Sequence, residues 1–390
     1  MTPTPDRADR PARLPSLTGL RFPAALLVFV YHGSLQLPST SLFTDQTFAA
    51  HYATAASQLG ALGVTFFFVL SGFVLTWSAR EHDSPAAFWR RRLVKIYPNY
   101  VVAWVLAMLV FAAAYTPAGQ AVLNLFMLQV WVPDFYVNLG VNPPSWSLGT
   151  EAFFYATFPL LLPLVNRISA ERLKYWIAGT VAAVIATPLI AYAAFPDTPA
   201  VPGGWDASQS QYWFAYFLPP VRLLDFALGI LVARAVLLGR WRDIGLGWSA
   251  LLLAVSVPLA SFVPYLYGQR AVTIVPIALL VAAAATADVK GRFTPFRSRP
   301  ARWLGEASFA FYLLHFVVIT GGRTLLGRTF STPAAIGLLA AELAVSLAAA
   351  AALYAWFERP ITRRFSASRR PAATVPAQRR PAEAALSVEH

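Results

Sequence analysis

The sequence predicts an all-α integral membrane protein, a polytopic helical bundle of about ten transmembrane helices with one short re-entrant segment. Apolar residues make up 57% of the 390 residues and charged residues only 13%, whereas a soluble domain has about 25% charged residues. Apolar runs of about 20 residues recur along the chain, separated by short segments that contain arginine. The bilayer is therefore the solvent in which the other residues are interpreted.

The apolar runs cover most of the chain, and they lie near 20–37, 59–79, 96–115, 120–132, 150–166, 175–195, 213–238, 244–264, 271–287, 303–322 and 333–357. The fourth run is too short to cross about 30 Å of hydrocarbon. Six clusters hold 27 of the 31 Lys and Arg residues, before residue 22 and at 80–95, 167–174, 234–242, 288–302 and 358–390. If all six face the cytoplasm, both termini are cytoplasmic and an even number of spans separates them. Ten of the eleven runs then cross the membrane, and 120–132 is re-entrant or interfacial.

The concentration of Lys and Arg on the cytoplasmic side accounts for the net charge of +13, so no nucleic-acid partner is expected. The predicted location is the bacterial cytoplasmic membrane, which the chain crosses several times. Residues 1–15 are predicted to be a disordered cytoplasmic N-terminus. Residues 16–364 are predicted to form the transmembrane domain, since no signal-peptide cleavage site follows its first apolar run. The Pro-rich and Arg-rich segment 365–390 is predicted to be a disordered cytoplasmic tail.

Ionisable residues inside the apolar runs are candidates for function, because each costs a few kcal/mol unless it is paired or solvated. They are Arg21, His32, Glu151, Arg222, Asp225, Glu306, His315 and Glu342. Arg21 and His32 are separated by about three helical turns, roughly 16 Å, and so share one helix face. They are either an anchor and an interior histidine, or two ends of a site for a long anionic cofactor. His315 lies at a depth similar to that of His32.

A compact basic patch occurs in the stretch FWRRRLVKIYPNY, at 88–100. Guanidinium groups suit phosphate, and an aromatic side chain can stack on adenine, so the patch is either a nucleotide-phosphate site or a topology signal. Its members are Arg90, Arg91, Arg92 and Lys95, beside Trp89 and Tyr97.

The stretch NPPSWSLGTEAFFY, at 142–155, has two interpretations. Ser145 or Ser147 can cap a helix that has Glu151 in its first turn. Alternatively, Glu151 with Trp146 and Tyr155 orients His32 or binds a hydroxylated acceptor.

A second polar group lies in YFLPPVRLLDFALG, at 216–229. Arg222 and Asp225 are three residues apart, so they are expected to pair with each other, and the pair can also line a cavity.

The motifs occur together in one order: Arg21 with His32, GVTFFFVLSGFVLTW at 63–77, RRRLVKIYP at 90–98, SWSLGTEAFFY at 145–155, RLLDFALGILVAR at 222–234, LGEASFAFYLLH at 304–315 and FERPITRR at 357–364. In this order the chain resembles the acyltransferase-3 family of membrane O-acyltransferases. The resemblance implies an acyl-coenzyme A donor, commonly acetyl-CoA, and a hydroxyl acceptor. It also implies that Arg21 and His32 are essential and that Arg90, Arg91 and Arg92 bind the nucleotide end of the donor. The chain departs from many family members in having only a short tail in place of an appended C-terminal domain.

Acyl transfer from a thioester to an alcohol needs a base and stabilisation of an oxyanion. The sequence has no cysteine and no G-x-S-x-G stretch, so a covalent route has little support and His32 is the candidate base. The candidate sets are His32, Arg21 and Glu151 for catalysis, Arg90, Arg91, Arg92, Lys95 and Tyr97 for the donor, and Trp146, Tyr155, Arg222, Asp225 and His315 for the acceptor. No metal and no tightly bound cofactor are expected.

The acceptor is either an envelope carbohydrate or a macrolide-type metabolite, because the family includes both kinds of enzyme. A proton- or ion-coupled secondary transporter is the alternative function, since buried charges also line ion paths. The sequence has neither an internal repeat nor paired broken helices in two halves, and the basic patch at 90–95 has no evident role in a transporter.

Overall fold

The computed structural model describes residues 11, 13–80 and 83–366. The regular structure of this part of the chain is helical throughout, without a β-strand. Its α-helices are α1 Pro15–Gly33, α2 Gln46–Ala56, α3 Leu59–Trp77, α4 Pro85–Val110, α5 Ala118–Leu125, α6 Phe135–Asn138, α7 Trp146–Asn166, α8 Leu173–Ala194, α9 Gln209–Tyr212, α10 Pro219–Leu237, α11 Leu246–Leu259, α12 Tyr265–Gly268, α13 Ile274–Val289, α14 Arg299–Leu326, α15 Thr332–Leu353 and α16 Arg359–Ser366. Residues 1–10, 12, 81–82 and 367–390 lie outside the described residues, so most of the predicted disordered segments 1–15 and 365–390 is not described.

Each of the ten predicted spans coincides with one helix of the bundle, namely α1, α3, α4, α7, α8, α10, α11, α13, α14 and α15. The run at 120–132 forms the short α5 and a 3-10 turn at Gln129–Trp131, so it lacks a spanning helix. Within the described ranges, six helical stretches are long and apolar enough to cross a bilayer: Gln46–Trp77, Pro85–Val110, Pro143–Asn166, Leu173–Ala194, Arg299–Leu326 and Thr332–Phe365. The chain is thus a helical protein with several candidate spans, while the count of ten and the cytoplasmic termini stay predictions.

Large apolar side chains cover the outside of the bundle. Examples are Leu109 on α4 with 77% of its surface exposed, Leu160 on α7 with 68%, and Phe262 after α11 with 84%. A soluble monomer rarely exposes extended apolar surface, whereas hydrocarbon accommodates it without cost. The exposed side chains therefore agree with a bundle surrounded by lipid.

Helix α4 begins earlier than the apolar run at 96–115. The Ser84 hydroxyl accepts a hydrogen bond from the Ala87 N–H at 3.2 Å, and Pro85 occupies the first helical position. Serine at the N-cap followed by proline is a favourable start for a helix. The basic stretch at 90–95 is consequently helical, and its side chains point in different directions.

Close crossings of α1 with α14 and of α3 with α10 bring the central helices together. A Cβ atom on Gly305 of α14 would lie 1.8 Å from the Thr18 carbonyl oxygen of α1, and one on Gly72 of α3 would lie 2.0 Å from the Phe226 carbonyl oxygen of α10. Small residues allow helix backbones to approach in lipid, where van der Waals packing drives association. These crossings place α1, α3 and α14 around one cavity.

Candidate active site

A cavity of about 460 Å³ lies between α1, α3, α4, α7 and α14. Its mouth, at the start of α1 and the end of α3, is lined by Arg13, Arg21, Trp77, Ser78, Arg92 and Lys95. Its inner end is lined by Val64, Phe67, Phe68, Ser147, Leu148 and Tyr312, and Ser71, Glu151 and Tyr155 lie between the two ends. This volume lies within the range of roughly 300–1,000 Å³ typical of small-molecule sites.

The predicted basic patch is divided by the helical turn of α4. Arg91 pairs with Asp83, and Arg90 is exposed and absent from the cavity lining. Tyr97 also lies outside the lining, because its hydroxyl donates to the Leu125 carbonyl at 3.3 Å. Successive residues on a helix are rotated by about 100°, so three adjacent arginines cannot share one site. The structure does not bring Arg90, Arg91 and Tyr97 into the cavity.

Arg92 and Lys95 are the members of the patch that line the cavity, on the same face of α4. Lys95 pairs with the buried Glu358, whose other oxygen accepts a hydrogen bond from the Asn99 amide at 2.5 Å. Arg92 lies over the Tyr155 ring, 5.9 Å from its centroid. In the part of the chain that the structure describes, neither Arg92 nor Arg21 has an ion pair. Arg13, which also lines the mouth, likewise has no ion pair among the described residues, so the mouth presents three guanidinium groups available to an anion.

Glu151 lies halfway along the cavity and faces α3. It accepts hydrogen bonds from the Ser71 hydroxyl at 3.0 Å and from the Tyr155 hydroxyl. The alternative in which Glu151 orients His32 is wrong, because the side-chain partners of Glu151 are these two hydroxyls and the hydrogen bond of the imidazole is to His315. Tyr155 lines the cavity as expected of a binding residue.

The predicted serine cap of α7 is also wrong. Ser145 makes no side-chain cap, and the Ser147 hydroxyl donates to the Pro144 carbonyl at 3.0 Å and lies 2.8 Å from the Tyr312 hydroxyl. Since α7 begins at Trp146, Glu151 belongs to its second turn.

His32 and His315 form a buried pair across α1 and α14. His32 Nδ1 lies 2.8 Å from His315 Nε2, and His315 Nδ1 lies 3.2 Å from the Phe311 carbonyl oxygen. His32 is 8% exposed and His315 is fully buried. The prediction that the two histidines lie at similar depth is confirmed. The pair is outside the cavity lining, and Tyr312 is its link to the cavity, since the Tyr312 and His315 ring centroids are 5.9 Å apart.

Arg222 and Asp225 pair as expected, with 3.3 Å between Arg222 Nε and Asp225 Oδ2. Arg270, which follows the short helix α12, is also buried and lies 3.3 Å from Asp225 Oδ1. The Arg222 guanidinium lies 4.9 Å from the centroid of the Phe68 ring, on the wall of the cavity. Neither Arg222 nor Asp225 reaches the lining itself. Trp146 is likewise buried outside the lining, against Tyr216 and Phe217.

Several polar residues were not among the predicted site residues: Ser71, Ser147 and Tyr312 line the cavity, and Glu358 pairs with Lys95 at its mouth. Ser71 and Tyr312 stand in LSGFVL and FYLLH, two of the motifs that carry the resemblance, and Tyr312 precedes His315 by three residues, so both were open to discovery. The partner of Glu358 is fixed only by tertiary packing. Among the described residues, no group of three or more His, Asp or Glu side chains is placed to hold a metal ion.

A bundle of apolar helices around an internal cavity with cationic side chains at its mouth is the architecture of a multi-pass membrane protein. The sequence profile described as "Acyltransferase domain" matches residues 14–355, so the chain belongs to this acyltransferase family and is an O-acyltransferase. The chain is 44% identical over 383 residues to Acyltransferase MdmB of Streptomyces mycarofaciens, covering 94% of this chain and 96% of that protein.

Two further relatives have longer chains. Peptidoglycan O-acetyltransferase OatA of Listeria monocytogenes is 24% identical, over 79% of this chain and 49% of that protein. O-acetyltransferase OatA of Staphylococcus aureus is 23% identical, over 79% of this chain and 51% of that protein. The chain thus spans about half the length of these two relatives. No solved structure matches the chain.

Proposed function

We propose that the protein transfers a short acyl group, in the first place acetyl, from acyl-coenzyme A to a hydroxyl group of an acceptor at the bacterial cytoplasmic membrane. The observation that carries this proposal is the cavity, which has unpaired arginines at its mouth and apolar and hydroxyl groups at its inner end. Coenzyme A has the matching shape, a polyanionic nucleotide joined to a long and nearly neutral arm that ends in the thioester.

The donor enters with its phosphates at Arg21 and Arg92, because guanidinium groups bind phosphate through paired hydrogen bonds. Its pantetheine amides pass Ser71 and Glu151, which supply a hydroxyl and a carboxylate as hydrogen-bond partners. The acyl group then lies at the inner end beside Phe67 and Tyr312, a part of the cavity lined by aromatic rings 5.9 Å apart.

His32 is the proposed general base. The acceptor hydroxyl gives its proton to the imidazole while its oxygen attacks the thioester carbonyl carbon. The C–S bond then breaks, and the coenzyme A thiolate takes the proton from the imidazolium, which yields the ester and free coenzyme A. Because His32 is behind Tyr312, the proposal requires the Tyr312 ring to move aside when both substrates are bound.

A macrolide-type acceptor is the first choice and a cell-envelope carbohydrate the second. The family that the chain resembles includes macrolide O-acyltransferases of actinobacteria. Acyltransferase MdmB, which matches the chain over nearly its full length, comes from a Streptomyces. The carbohydrate alternative is supported by the Listeria relative, which is named as a peptidoglycan O-acetyltransferase. Membership of an acyltransferase family leaves the transporter hypothesis without specific support.

The test is release of free coenzyme A from acetyl-CoA by the full chain purified in detergent, with and without macrolide or oligosaccharide acceptors. His32→Ala is expected to abolish acceptor-dependent release, whereas His51→Ala, which removes an exposed histidine on α2, leaves it unchanged. Equal rates in the parent and in His32→Ala would exclude His32 as the base. Absence of release with every acceptor and of acetyl-CoA binding would refute the proposed donor.

A further inference from the structure

A chain of hydrogen bonds fixes the proton positions on the two histidines. The Phe311 carbonyl oxygen can only accept, so the contact at 3.2 Å requires a hydrogen on His315 Nδ1. A neutral imidazole has one N–H, and His315 Nε2 is therefore an acceptor. The contact of 2.8 Å between His315 Nε2 and His32 Nδ1 then requires the hydrogen of His32 to be on Nδ1.

We propose that His315 is a positioning residue that holds His32 in its Nδ1–H tautomer and leaves the lone pair of Nε2 free to accept the acceptor's proton. This inference rests on the proposed function, in which His32 is the base. Among the described residues, His32 Nε2 has no hydrogen-bond partner. The same arrangement accommodates the imidazolium, because His32 Nδ1 keeps its hydrogen and its bond to His315 when Nε2 gains the proton.

The surroundings of His315 make it a rigid support. Its ring is fully buried and stacks on the Phe311 ring with centroids 5.7 Å apart and planes inclined by 19°. The His32 ring is held edge-on against Phe316, at 5.1 Å. Water cannot replace a lost partner readily at such a site, and the tautomer of a histidine is set by the bond that its other nitrogen makes.

The test compares His315→Gln with His315→Asn in the full chain. A glutamine amide oxygen reaches the position of His Nε2 and can accept from His32 Nδ1, whereas an asparagine amide reaches only the position of Nδ1. We expect kcat to fall by about 10²–10⁴-fold in His315→Asn, the scale of general-base catalysis and of a wrong tautomer, and by less than about tenfold in His315→Gln. KM for acetyl-CoA should stay within about twofold, because His315 is outside the cavity lining. Equal kcat values in the two variants, whether impaired or intact, would overturn the inference.

The tautomer itself is measured by nitrogen NMR of the histidine rings in the full chain, with His32→Ala assigning the resonances. The inference expects an unprotonated Nε2 on His32 in the parent and a protonated Nε2 in His315→Asn. A protonated Nε2 in the parent would overturn it. The NMR measurement does not depend on enzymatic activity, so it decides the tautomer assignment by itself. Full activity of His32→Ala would refute the proposed function of His32 as the base and would leave the tautomer assignment to the NMR result.

Discussion

Loss of Arg92 is expected to weaken donor binding, while loss of the neighbouring Arg90 is not. Arg92 lines the cavity, and its Nε is buried without a hydrogen-bond partner in the described part of the chain. Arg90 is exposed on another side of the same helix. The two variants Arg92→Ala and Arg90→Ala remove the same charge from positions two residues apart. Any difference between their KM values for acetyl-CoA therefore reflects the position of Arg92 at the cavity and not the change in net charge.

The expected loss of binding free energy is that of one hydrogen bond between a charged donor and a phosphate. Such a bond contributes about 1.5–3 kcal/mol, and partial exposure of the guanidinium reduces this to about 1–2 kcal/mol. At 1.4 kcal/mol per tenfold, KM for acetyl-CoA should rise about 5–30-fold in Arg92→Ala and less than about twofold in Arg90→Ala. The value of kcat should change little, because the phosphates bind equally in the ground and transition states.

The assay is thiol release from acetyl-CoA at several salt concentrations, with thermal unfolding in detergent to confirm that both variants fold. Arg92→Lys should be intermediate, because lysine keeps the charge and loses the paired donors. Equal increases of KM in Arg90→Ala and Arg92→Ala would refute the assignment and indicate a diffuse electrostatic effect. No increase in either variant would place the phosphates elsewhere.

Two further predictions concern the helices that hold the site. Gly305→Ala should lower the midpoint of thermal unfolding or abolish folding, since its Cβ would lie 1.8 Å from the Thr18 carbonyl oxygen and overpacking costs about 1–3 kcal/mol or more. The control Gly179→Ala places its Cβ where no neighbouring atom lies within 4 Å, so it should unfold as the parent does. Equal effects of the two variants would contradict the close crossing. Glu358→Gln should lower the free energy of unfolding by about 1–3 kcal/mol, less than the loss of a partner in a fully buried ion pair, because the Lys95 side chain is 32% exposed. Adding Lys95→Met should recover part of this loss. An unchanged unfolding midpoint in Glu358→Gln would show that the pair contributes nothing to stability.

The short helix α2 Gln46–Ala56 lies outside the apolar runs, but the runs locate the ten longest helices, because their spacing depends on the bilayer and hardly on tertiary contacts. The same is true of local pairs, and Arg222 with Asp225 is an example, since three residues along a helix bring side chains together. Start points were less certain. The capped start of α4 at Pro85 lies well before its apolar run, because polar residues there continue the helix beyond the hydrocarbon.

Contacts between distant parts of the chain could not be predicted. His32 and His315 are 283 residues apart in sequence and meet only because α1 and α14 cross closely. The only signal for that crossing in a single sequence is the similar depth of the two histidines in their spans, and similar depth does not establish contact. The choice of Glu151 as the partner of His32 failed for this reason, because a carboxylate near the right depth is chemically plausible whether or not the helices touch.

The position of Tyr312 between the cavity and the histidines leads to a last prediction. Its hydroxyl is bonded to the Pro144 carbonyl at 3.0 Å and lies 2.8 Å from Ser147, while its ring lines the cavity and faces His315. A donor bound alone is therefore separated from the base, which should keep water from being activated against the thioester.

Tyr312→Ala should remove this barrier. We expect the ratio of acceptor-independent to acceptor-dependent release of coenzyme A to rise at least about tenfold, which corresponds to about 1.4 kcal/mol of preference for the acceptor over water. Ser147→Ala removes a hydroxyl contact but leaves the ring in place, so its ratio should stay near that of the parent. If the ratio in Tyr312→Ala equals that in Ser147→Ala, the ring is not the barrier, and the slow reaction with water has to come from the histidine pair itself.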